Sequence, residues 1–231
     1  MEYWIICLLI IGMIVVLYSV VQVKLKQIKK RGENKQLNQL TDAYPDNIQI
    51  AKSMLNKLGN QTVQVEENKQ TEASFYFVAT NRIILSNQKN LFTRIQTIAH
   101  ECIHSTQSKP MLWFNFLYSN CLNLYFVLLL LFTLFGIVQN GLFQMVLLLV
   151  FSFAQYFVRS FLEIDAMTRA RYVAAEYMQE EKSSSEEDTK KVLQEYDELN
   201  KLGIKTVCFE LFCSGMLKVW VYGILLCMIH F

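Results

Sequence analysis

His100-Glu101-Cys102-Ile103-His104 holds two of the three histidines in the chain, spaced four positions apart. On a helix, residues i and i+4 stack on one face, so both imidazoles can reach a single metal ion. Glu101 falls about 100° further round the helix. There it can take a proton from a water that the ion activates without being a ligand itself. H-E-x-x-H on a helix is the two-histidine half of a zinc hydrolase site.

The flanking residues agree with that reading. Leu91, Ile95, Ile98 and Cys102 form one apolar stripe pointing away from the histidines, which share their face with Thr93, Thr97 and Gln107. A helix so divided, expected to be capped by Asn90 and to run through Gln107, buries its back and turns a polar face elsewhere. Two unrelated histidines flanking a glutamate would leave this segregation unexplained.

A catalytic zinc takes three protein ligands and leaves a position for water. His230, the remaining histidine, ends the last apolar block and is expected on the far side of a membrane. The third ligand is then a carboxylate or a cysteine. Glu163 stands out: on a helix read over Ser160 to Glu181 it shares an inward stripe with Met167, Ala170, Ala174 and Tyr177. A carboxylate there calls for a cationic partner. Asp165 points to the opposite side with Arg169 at i+4, an ordinary surface pair. It is also a candidate to accept a hydrogen bond from a ligating histidine.

Composition sets the frame. The chain has 231 residues, 53% of them hydrophobic and 18% charged, with apolar residues gathered in long blocks. The expected fold is mainly α with a small β-sheet (α+β), embedded in a membrane. Residues 1–23 read as a first span, 117–158 as two spans joined by a tight Gln139-Asn140-Gly141 turn, and 206–231 as a fourth. Residues 24–110 read as a polar α/β segment. It holds an amphipathic helix from Asp46 to Leu58, stopped at Gly59, two or three short strands within 62–85, and the histidine helix. Residues 159–203 read as two helices, the second ending at Gly203.

Lys24, Lys26, Lys29, Lys30, Arg31 and Lys35 come directly after the first span. The positive-inside rule therefore places the N-terminus outside, the polar segments in the cytoplasm, Asn140 outside and Ser184 inside. The start Met-Glu-Tyr-Trp has no basic region, which favours an anchor over a cleaved leader; Trp4 and Tyr18 suit interfacial positions. A net charge of +2 gives no reason to expect nucleic acid. Of the six cysteines, Cys7, Cys121, Cys208, Cys213 and Cys227 lie in apolar blocks, so they read as reduced packing residues. Lys218 lies inside the last block, lining a protein interior or snorkelling. No sequence feature selects an oligomeric state.

Ala99-His100-Glu101-Cys102-Ile103-His104-Ser105-Thr106-Gln107, with Glu163-Ile164-Asp165-Ala166-Met167-Thr168-Arg169-Ala170 further along, resembles the YugP-like bacterial membrane zinc metallopeptidases. Their patterns are A-H-E-x-G-H-x-x-Q and E-F-[ND]-A-S-x-R-A. The order of segments is similar over nearly the whole chain. Ile103 stands where that pattern has Gly, and Met167 where it has Ser. The resemblance implies one zinc ion per chain held by His100, His104 and Glu163, Glu101 as the catalytic carboxylate, a gluzincin-type cytoplasmic core and a bacterial cytoplasmic membrane. It also implies strand addition of an extended substrate near Arg82 to Leu85.

The expected activity is hydrolysis of peptide bonds in protein or peptide substrates at the cytoplasmic membrane face. Tyr172, Tyr177, Arg169 and Arg171 are candidates of the right type to stabilise an oxyanion. The alternatives are a zinc site with another hydrolytic substrate, or a scaffold with structural zinc. Structural zinc usually has four ligands with several cysteines, and Cys102 faces away.

Overall fold

The computed structural model describes residues 2–71, 73–87 and 89–229; His230 lies outside them. Eight helices and three strands succeed one another among these residues: α1 (Glu2–Val21), α2 (Leu25–Gly32), α3 (Lys35–Thr41), α4 (Asn47–Lys57), β1 (Gln64–Asn68), β2 (Phe75–Phe77), β3 (Arg82–Ser86), α5 (Arg94–Thr106), α6 (Lys109–Leu134), α7 (Gly141–Glu181) and α8 (Glu186–Ile229). The protein is thus mainly helical with a small sheet, an α+β fold. The chain divides into two compact units, one of residues 1–23, 114–161 and 205–231, the other of residues 24–113 and 162–204.

In the first unit, α1 and parts of α6, α7 and α8 enclose Ile10, Leu122, Leu129, Met145, Leu148, Met216, Val219, Tyr222 and Leu226. Among the described residues, four helices are long and apolar enough to cross a membrane by length and composition. Much of their apolar surface faces outward, Leu9 and Phe157 each being 66% exposed. α6 ends in a Schellman motif. Gly136 takes φ +72°, its N–H bonds the Thr133 carbonyl at 3.1 Å, and the Ile137 N–H reaches the Phe132 carbonyl at 2.9 Å. Asn140 caps α7 by accepting from the Phe143 N–H at 2.9 Å. The turn therefore occupies residues 135–140, and Gly141 belongs to the helix, packed close to Leu226.

In the second unit the core gathers Ile50, Ala51, Met54 and Leu55 of α4, Ile83 and Leu85 of β3, Ile95, Ile98, Ala99 and Cys102 of α5, Ala170, Ala174, Tyr177 and Met178 of α7, and Val192 and Tyr196 of α8. Asp46 caps α4, and Gly59, at φ +67°, ends it. In the sheet, of order β1-β3-β2, β1 runs parallel and β2 antiparallel to β3. Ile83 and Leu85 alternate inward with Arg82, Ile84 and Ser86.

The structure also differs from the sequence reading at the start of α5, at α2 and α3, and at Gly203. α5 starts at Arg94 rather than from an Asn90 cap, and its N-cap Thr93 makes no side-chain cap bond. Tertiary anchoring sets this start. Phe92 is buried against Tyr196, and its N–H donates to Asn38 Oδ1 at 2.9 Å. The buried Arg94 guanidinium donates to the carbonyls of Thr41, Tyr44 and Pro45 and to Asn47 Oδ1. Second, α2 and α3 occupy a stretch read only as polar. Third, α8 passes through Gly203 without stopping. A Cβ there would stand 2.7 Å from Met167 Cε, the far end of a flexible side chain, so the glycine leaves room for Met167 of α7 rather than ending the helix.

Candidate metal centre

The site is built from two helices of the second unit. α5 buries Ile95, Ile98 and Cys102 and leaves His100 and His104 on the other face. α7 buries Ala166, Ala170 and Ala174, small residues that keep Glu163 on the side it turns toward α5. The helical period that put Glu163 on an inward stripe in the sequence is the same one that brings it here.

His100 Nε2 and His104 Nε2 are 3.0 Å apart, with the rings edge to face at 89°. Glu163 Oε2 lies 3.4 Å from the first and 3.6 Å from the second. These residues form a group able to hold a metal ion. Bonds of about 2.0–2.1 Å at tetrahedral angles place neighbouring zinc ligands about 3.3 Å apart, which matches these separations. The donor set also fits chemically. Two imidazole nitrogens and a carboxylate oxygen crowd their lone pairs together, an arrangement that needs protons or a cation between them.

Glu101 stands beside this group and is not one of the three residues that form it. It is buried, which pushes its carboxyl up from the usual value; the two histidines and a hydrogen bond from the Tyr76 backbone work the other way, and Glu163 adds to the rise. Glu163 moves in the opposite direction. Burial opposes its charge, but hydrogen bonding to His100 and His104 outweighs that and holds it well below the carboxylate range. His104 loses to burial but gains more from Glu163 and Glu101, and its pKa is raised.

Asp165 does not touch a histidine. His104 Nδ1 is paired instead with Gln107 Oε1 at 2.8 Å, while Gln107 Nε2 donates to Asp165 Oδ2 and to the Leu162 carbonyl, each at 2.8 Å. Asp165 also faces Arg169 at 3.5 Å, as the i+4 spacing predicts. The part played by Gln107 is not read from the sequence, although its place three residues after His104 on the same face is a usable signal. The Tyr76 backbone on β2 is different, since no side-chain pattern reveals it.

The oxyanion candidates are dispersed. Tyr177 is buried in the core beside Tyr44, Arg171 pairs with Asp197 at 2.5 Å, and Tyr172 is exposed and flanks Arg171. Arg169 alone of the four is linked to the site, through Asp165. β3, expected from the resemblance to pair with an extended substrate, is instead central, with β1 and β2 hydrogen-bonded on either side. Its backbone is already used, and β2 is the edge strand whose backbone touches Glu101.

Compared with known families, residues 5–196 match the one described as "Putative neutral zinc metallopeptidase". The chain belongs to that family. Comparison with curated proteins returns no match, nor does comparison with solved structures. Zinc, which the family's description names, is the metal that the donor set of this family member fits.

The Glu101 shift is measurable through stability. A carboxyl raised in the fold stabilises it fully below its ordinary pKa, and that contribution is lost as pH rises through the folded value. At pH 8, where the unfolded carboxyl is ionised, the raised pKa of buried Glu101 therefore weighs against folding. Glu101→Gln should raise the thermal midpoint of chelator-stripped protein at pH 8, with the gain shrinking toward pH 4. A midpoint equal to wild type at pH 8 would contradict the assignment.

Proposed function

We propose that this protein is a membrane-bound zinc metallopeptidase that hydrolyses peptide bonds at the cytoplasmic membrane face. The observation that carries the reading is the convergence of His100, His104 and Glu163, with Glu101 buried beside them. His100, His104 and Glu163 would hold one zinc ion. When bound, zinc supplies a Lewis acid that lowers the pKa of water toward ~7 and polarises a carbonyl.

Glu101 does the proton work. Beside the group that would hold the ion, its carboxylate is placed to act as general base. It takes the proton of the attacking water and later gives it to the leaving amine. Burial keeps bulk water from competing for that proton, and the Tyr76 backbone favours the ionised form of the carboxyl. An extended peptide would be held by strand addition to β2, the edge strand next to this carboxylate. Such a peptide would lie antiparallel or parallel to Phe75–Phe77, with its backbone over the site.

Location is a matter of pattern. Glu163 comes five residues after the apolar run 142–158, so the site belongs to the membrane surface rather than the bilayer interior. The outward apolar side chains of the first unit suit a lipid environment. The basic residues of α2 favour the cytoplasmic side for the segment from α2 to α5. Substrates are then membrane proteins with exposed cytoplasmic segments, or peptides reaching that surface.

Zinc content and peptide cleavage separate the roles. Glu101→Gln should keep zinc and lose on the order of 10²–10⁴-fold in turnover, whereas Glu163→Ala should lose both. Turnover by Glu101→Gln at the wild-type rate would refute the general-base role. For topology, single cysteines at Asn140 and Glu187 in a cysteine-free background should be labelled from outside and inside respectively. The reverse pattern would overturn the orientation.

A further inference from the structure

Resting on the metal-site reading above, we propose that Gln107, oriented by Asp165 and the Leu162 carbonyl, is a positioning residue that locks His104 in the tautomer whose Nε2 can bind the metal. The donors and acceptors around the amide fix its direction. An amide offers an acceptor oxygen and a nitrogen with two hydrogens, and its partners decide which end is which. Gln107 Nε2 faces the Leu162 carbonyl and Asp165 Oδ2, both at 2.8 Å. Those two oxygens consume both amide hydrogens. Turning the amide over would set its oxygen against two oxygens, so Oε1 faces His104.

An amide oxygen only accepts. His104 Nδ1, 2.8 Å from it, must carry the hydrogen. In a neutral imidazole the lone pair is then on Nε2, and Nε2 is the atom that faces His100 and Glu163. Gln107 is itself buried, so water does not supply a substitute partner.

The same amide does a second thing. Leu162 precedes Glu163 directly, so one side chain at the end of α5 grips both a histidine and the turn of α7 that presents the carboxylate. It ties the separation of the ligands to the tautomer of one of them. Asp165 acts at one remove: it holds the amide, and the amide holds the ring.

The test is zinc affinity of the full-length protein in detergent, measured by competition with a chromophoric chelator. The set is Gln107→Leu, Asp165→Leu, Asp165→Asn and, as reference, His104→Ala. Loss of such a supporting bond typically weakens metal binding about 10–100-fold, and Gln107→Leu is expected in that range, with Asp165→Leu shifted the same way. Asp165→Asn keeps an oxygen that accepts from Gln107, so it should stay within about threefold of wild type, a rescue that a purely packing role would not produce. The lock is overturned if Gln107→Leu binds zinc as wild type does while His104→Ala loses it. It is also overturned if Asp165→Asn is as damaging as Asp165→Leu, a comparison that stands even where Gln107→Leu fails to fold. If His104→Ala itself binds zinc as wild type does, the metal-site reading falls, and the lock with it.

Discussion

Three electron-rich atoms, two ring nitrogens and a carboxylate oxygen, are held within 3.6 Å of one another by helices that have other reasons to be where they are. α5 is fixed by its apolar back and by Phe92 and Arg94 at its start. α7 is fixed by a stripe of alanines and by Gly203, which lets Met167 approach α8. The crowding of lone pairs is thus imposed from outside the site. A cation there would relieve it, which would couple metal binding to the packing of the second unit.

Two glutamates in one site are driven apart by their surroundings. Glu163 is stabilised as an anion by the histidines it faces, while Glu101 is buried and made harder to ionise. Under the proposed function, that divergence suits one acid to hold the metal and leaves the other for protons, the usual way a protein assigns different work to identical groups. The cost is a carboxylate placed against folding, as is common at functional sites.

Much of this is legible in the chain. The 3.6-residue period in 91–107 and 160–177 puts the histidines on a polar face and Glu163 on an inward one, because helical geometry converts spacing into direction. Gly59 reads correctly as a helix end because nothing but its backbone angle is at stake. Gly203 does not: a glycine permits a close approach as readily as it permits a turn, and only the position of Met167 tells which. The order of the strands is equally hidden, since β3 looks the same in sequence whether it is central or at an edge. The pairing of Gln107 with His104 lies between these cases, correctly spaced on the helix but unassigned until Leu162 and Asp165 are in place around it.

The central claim is that His100, His104 and Glu163 hold one zinc ion together. X-ray absorption at the zinc edge of the loaded protein examines the ion's own neighbours. Two imidazoles and a carboxylate predict a first shell of nitrogen and oxygen at about 2.0–2.2 Å with the scattering of two imidazoles. A shell containing sulfur at about 2.3 Å, or one without the scattering of two imidazoles, would contradict the claim.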